Sequence, residues 1–133
     1  KFKEPIWEGL NNFTNSDINS LVLKRYKDRF INMYENRFND DKLFFKAPML
    51  LVITSSSKIN GILAADKIEL MANMMGLGVL FSGFIEMAIN HSEELIKKFR
   101  LKRNVTCACM LIGYPDISYK RTAPRKNINV EWL

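Results

Sequence analysis

A chain of 133 residues with 47% hydrophobic side chains can bury a core, so global disorder is excluded and the length suits one domain. Its longest apolar run, residues 47–53, falls far short of the roughly 20 residues a membrane helix needs, and Lys1-Phe2-Lys3-Glu4 leads into no long apolar leader. The net charge of +6 is uneven, with Lys97, Lys98, Arg100, Lys102 and Arg103 in one group and Lys120, Arg121, Arg125 and Lys126 in another. Such clusters suit nucleic acid, a phosphate-bearing cofactor or plain solvation. Only Phe99 interleaves the first cluster, which gives little support to stacking on single-stranded nucleic acid.

In chain order, residues 1–12 show no clean period and read as irregular or as a short helix. Thr14 or Ser16 then caps a long helix to about Arg37, with Asp17 in its first turn and an apolar face of Ile18, Leu21, Val22, Tyr26, Phe30, Met33 and Tyr34. Asn39-Asp40-Asp41 ends it. The run from Met49 to Thr54, bounded by Pro48 and Ser55-Ser56-Ser57, predicts a central strand covered on both faces. The serines provide a loop and a cap for the next helix; they lack the glycines and lysine of a phosphate-binding loop.

The stretch from Gly61 to Phe84 organises the rest. Ile62, Ala65, Ile68, Ala72 and Met75 recur at helical spacing, and Leu63, Leu70, Met71 and Met74 add a second apolar stripe. A helix apolar on most of its circumference is buried on more than one side, in a core or against a second subunit. Gly76 or Gly78 supplies the left-handed stop. Val79-Leu80-Phe81 follows as a short strand, and Ser82-Gly83 leaves the backbone bare to a flat ligand. Residues 84–89 form a short helical turn. Ser92 caps a further helix with Glu93 and Glu94 in its first turn, and His91, the sole histidine, takes a surface or cap role. Val105–Ile112 is the second central strand, residues 114–127 a basic loop, and Ile128–Trp132 an alternating, edge-like strand. The order of elements is mixed α/β or α+β.

The usual catalytic signatures are missing. The glycines after the long helix precede a strand, the reverse of a dinucleotide fingerprint. Cys107 and Cys109 are the only cysteines; two apart in a strand they make neither a disulfide nor a zinc or iron–sulfur site, and they fit a core in a reducing cytoplasm. No metal ligand set and no catalytic side chain is singled out.

Three segments carry a resemblance. An alanine-containing helix runs into Gly76-Leu77-Gly78, a short strand and Gly83-Phe84; Leu111-Ile112-Gly113-Tyr114-Pro115 ends an apolar strand; and Arg121-Thr122-Ala123-Pro124-Arg125-Lys126 precedes Val130-Glu131-Trp132. Together, across residues 47–133, they resemble the FMN-dependent nitroreductase family. The resemblance implies an α+β fold with a central sheet flanked by helices, and a homodimer that exchanges the C-terminal tail strand. It implies an oxidoreductase that passes reducing equivalents, in ping-pong fashion, from NAD(P)H or another donor to a small-molecule electron acceptor such as a nitroaromatic or quinone. The flavin carries that chemistry and the protein supplies position and electrostatics. Leu80 and Phe81 would wall the ring, Ser82 and Gly83 would offer backbone N–H groups, and Arg121, Arg125 and Lys126 are the phosphate candidates, Arg125 foremost.

The chain departs from the family in one place: the N-terminal Arg-Arg-Ser-x-Arg motif has no counterpart. Lys24-Arg25-Tyr26-Lys27-Asp28-Arg29 has basic character but lies within a predicted helix. The expectation is therefore a single domain, residues 1–133, that forms the C-terminal portion of a longer cytoplasmic protein, some relatives of which carry iron–sulfur domains upstream. The alternatives are a non-catalytic flavin- or protein-binding module and nucleic-acid binding through the basic clusters; neither nucleic acid nor membrane is the expected partner.

Overall fold

The structure, a computed structural model, describes residues 2–16, 21–101 and 105–117, without the side chains of residues 21–24 and 105. The basic tail residues Arg121, Arg125 and Lys126 and the strand expected at Ile128–Trp132 lie outside the described residues.

In order, the elements are α1 (Lys3–Thr14), α2 (Leu21–Glu35), β1 (Met49–Ser55), α3 (Lys58–Met74), β2 (Gly78–Phe81), α4 (Gly83–Asn90), α5 (Glu93–Lys98) and β3 (Val105–Gly113). The strands form one antiparallel sheet in the order β1-β3-β2. β1 and β2 thus run the same way, joined by the α3 crossover, and β3 enters between them after α4 and α5. The expectation of two central strands holds for β3 alone; among the described residues β1 flanks it.

Alternation along the strands explains why both apolar runs are continuous. Leu50, Val52, Cys109 and Leu111 face a large core built from α1, α2, α4 and α5, centred on Ile6, Trp7, Leu10, Phe30, Phe44, Ile85 and Ile89. Leu51, Ile53, Ala108 and Met110 face the opposite way, toward Ala65 of α3, with Val79 of β2 on the same side. A strand buried on both faces reads as a near-continuous apolar run: residues 106–112 of β3 are all buried, with Thr106 the one buried polar side chain among them.

Two expectations near the N-terminus change. The first segment is a full helix, α1, whose Ile6, Trp7, Leu10 and Phe13 pack into the core. Thr14 belongs to its end rather than to the start of α2, and its hydroxyl donates to the Leu10 carbonyl at 2.8 Å. Ion pairs at 2.8 Å, Lys3–Asp41 and Arg37–Glu4, tie α1 to the segment after α2.

The long helix corrects the sequence reading most. Ser57 caps α3, its hydroxyl accepting from the Asn60 N–H, and the chain leaves the helix through Gly76 with φ +76°, as the glycine stop required. Only Gly61, Ala65 and Ala72 of α3 are buried. Small residues let the helix lie close on the sheet: a β-carbon at Gly61 would come within 2.5 Å of the Cys107 β-carbon and Sγ. The large side chains face out, with Ile59, Leu63, Leu70, Met71, Met74 and Met75 all more than half exposed. Ile62 and Met75, assigned to the buried face, are exposed. Among the described residues α3 is therefore covered on one side only.

Candidate functional site

The short strand β2 and the turn after it build one wall of a cleft. Leu80 and Phe81 are each 45% exposed, because at this edge of the sheet no further described strand covers them. Ser82 ends the strand, its N–H donating to the Cys109 carbonyl at 2.8 Å. Its side chain then caps α4 by accepting from the Ile85 N–H at 3.4 Å. Ser82 is buried and fully engaged at both backbone and hydroxyl, so the expectation that its N–H is offered to a ligand is not met.

The donors lie one and two residues further on. Gly83 and Phe84 are the first two residues of α4, where an N–H has no carbonyl a turn earlier to bond. No described residue accepts from either. The positive end of the helix dipole adds to their pull on an electron-rich atom. A β-carbon at Gly83 would meet nothing within 4 Å, so the space beside this backbone is open.

Leu80, Phe81, Ser82 and Gly83 line a cleft of about 590 Å³ together with Phe84, Glu86 and Met87 of α4, Arg29 and Met33 of α2, and Lys42, Leu43 and Phe45. That volume is typical of sites that hold a cofactor or small ligand. The opposite wall reaches the cleft by helical spacing: Arg29 and Met33, four residues apart, share one face of α2. Phe45 and Lys46 both adopt the left-handed region, with φ of 50° and 58°, which sets Phe45 at the cleft with 61% of its surface exposed. Bulky residues rarely adopt that conformation, and where they do it often marks a working site.

A smaller cleft of about 150 Å³ lies behind this one, between α3, α4 and β3. Phe81, Ser82, Gly83 and Glu86 line both and so form the partition. Burial pushes the Glu86 carboxyl above its ordinary range, and the Lys58 ammonium draws it part of the way back. Burial, and then the Glu86 charge, push the Cys109 thiol up to about 12. Cys109 therefore stays a neutral thiol at physiological pH, inert as a nucleophile.

Of the seven residues named from the sequence, Leu80, Phe81, Ser82 and Gly83 line one cleft, and Arg121, Arg125 and Lys126 are outside the described residues. Arg29, Lys42, Phe45 and Glu86 were not selected from the sequence. Arg29 and Glu86 are ordinary polar positions on amphipathic helices, and only the tertiary packing, with Tyr26 and Phe30 of α2 against Phe84 of α4, brings them to one cleft. His91 is exposed, its Nδ1–H donating to the Met87 carbonyl at 2.9 Å and its ring lying against Phe13, which is the surface and cap role expected of it.

Among solved structures the chain is similar to a nitroreductase with bound FMN from Desulfitobacterium hafniense DCB-2, at a TM-score of 0.66 and 19% identity, over 97% of this chain and 69% of that one. The chain has a nitroreductase-like fold. It is also similar to a nitroreductase with bound FMN from Bacteroides fragilis NCTC 9343, at a TM-score of 0.67 and 13% identity, over 96% of this chain and 68% of that one. No family profile and no curated protein matches the sequence. No helix among the described residues is long and apolar enough to cross a membrane.

Proposed function

We propose that this nitroreductase-like protein is an FMN-dependent oxidoreductase that takes reducing equivalents from NAD(P)H or another donor and passes them to a nitroaromatic, quinone or similar small acceptor. The observation that carries the reading is the cleft at the start of α4. There two N–H groups that pair with no described residue, of Gly83 and Phe84, sit beside an apolar wall of Leu80 and Phe81.

Those residues fit a flavin. Leu80 and Phe81 give its ring an apolar face, and the Gly83 and Phe84 N–H groups give its electron-rich edge two donors at a helix N-terminus. Gly83 leaves room for the ring to come up to the backbone. The bound flavin would supply the electron and hydride chemistry. The chain's own part is to orient the ring, to bias its charge through the two donors and to keep water from one face. In the tail, Arg125, with Arg121 and Lys126, is proposed to hold the phosphate.

A homodimer belongs to the same reading. The exposed apolar side of α3 offers a second copy a row of large side chains, and the tail strand Ile128–Trp132 is proposed to pair with the partner's sheet.

Visible absorbance of the purified protein tests the proposal. Flavin bands that bleach anaerobically with NADH or NADPH and recover with a nitroaromatic or quinone are the expected result. A protein that stays colourless after FMN reconstitution would refute the flavin reading; bands that no donor bleaches would leave a flavin-binding module and sink the oxidoreductase. Loss of FMN affinity in Arg125→Ala, by roughly ten- to a hundredfold for a charge-assisted contact, checks the phosphate role.

A further inference from the structure

The cleft has charge on both sides, and the charges are sorted. Glu86 lies on the partition shared with the smaller cleft, whereas Arg29 and Lys42 line only the larger one. Both cations are exposed. Arg29 has no ion pair or hydrogen bond with any described residue, and Lys42 has only the adjacent Asp40, at 2.7 Å. Between the two signs the surface is apolar and aromatic, with Met33, Leu43, Phe45 and Phe84.

We propose that Arg29 and Lys42 form an anion-accepting subsite in this cleft, which selects planar aromatic electron acceptors carrying a carboxylate, sulfonate or phosphate group. The inference rests on the flavin reading above and adds the substrate class. An aromatic ring packs on Phe45 and the apolar floor. Its acidic group faces the guanidinium and ammonium, where Arg29 can bind two oxygens at once. Glu86 repels the same acid from the other side, so the ligand enters in one orientation. Phe45, fixed in the left-handed region, presents its ring edge or face without a loop first having to be ordered.

The test is calorimetric binding of 4-nitrobenzoate and of its neutral isostere 4-nitrobenzamide to the oxidised protein, with no electron donor present. The expected result is a preference for the acid of about 1.4- to fivefold for each cation, the range for solvent-exposed charge pairs, shrinking as salt is raised. In Arg29→Gln and in Lys42→Gln that preference should fall toward one, while the affinity for the amide, which reports on the fold, stays put. No preference in the wild type, or one unchanged in both variants, would overturn the proposal. So would variants that instead lose the preference for FMN over riboflavin, because the cations would then serve the cofactor. Calorimetry reads the ratio whether or not flavin is bound, so a protein that stays flavin-free after FMN reconstitution yet prefers the acid refutes the proposed function and supports the anion subsite.

Discussion

Adding a methyl group at Gly83 should separate binding from stability. In the structure the new β-carbon would meet nothing within 4 Å, and Gly83 is the first residue of α4 without a left-handed φ. Gly83→Ala therefore strains nothing in the folded chain, and by narrowing the unfolded ensemble it should stabilise by about 0.4–1 kcal/mol. A flavin ring drawn up to this backbone would occupy that open space. Forcing a methyl into such a contact costs roughly 1–3 kcal/mol, which is about a five- to 150-fold loss of FMN affinity. Gly83→Val should lose more. Ser82→Ala should do the opposite: it removes the cap on the Ile85 N–H and costs about 0.5–2 kcal/mol of stability, with FMN affinity less affected than in Gly83→Val. Thermal melts and FMN fluorescence titrations on the same preparations measure both quantities. Unchanged FMN affinity in folded Gly83→Ala and Gly83→Val would refute the placement of the ring against this backbone.

Gly61→Ala should destabilise the protein. The 2.5 Å approach to Cys107 on the central strand makes overpacking, about 1–3 kcal/mol, outweigh the helix propensity of about 1 kcal/mol that alanine brings; urea unfolding checks the sign. For Glu86, whose carboxyl is raised in the folded protein, the folded state binds the proton more tightly than the unfolded chain. Its stability should accordingly be full below the ordinary value of 4.5 and decline as pH rises through the raised value. Melting temperatures measured from the ordinary carboxyl range upward in pH should show that decline in the wild type and a flatter profile in Glu86→Gln. Leu70→Glu on the exposed side of α3 should convert a dimer into monomers in sedimentation; a wild type that is monomeric at micromolar concentration would remove the α3 interface altogether.

The local pattern of the sequence determined a good deal. Val105–Ile112 announces itself as a strand because burial on both faces leaves a near-continuous apolar run, and the half-buried Met49–Thr54 reads the same way. Ser57, Gly76 and Ser92 mark helix ends through backbone groups that must be capped or relaxed within a few residues. The bare backbone at Gly83 is visible for the same reason. Pairings across the chain were decided only by the tertiary structure. Ser82 loses its N–H to Cys109, twenty-seven residues away in sequence, and the free donors shift to Gly83 and Phe84. Arg29 and Lys42 join the cleft because α2 and the segment after it pack against α4. The apolar circumference of α3 gave the expectation of more than one covering surface, yet hydrophobicity has no direction, and the described residues cover one side alone. That the small residues Gly61, Ala65 and Ala72 meet the sheet, while the large ones face out, follows from how closely a helix must approach the strands to fill the space between them.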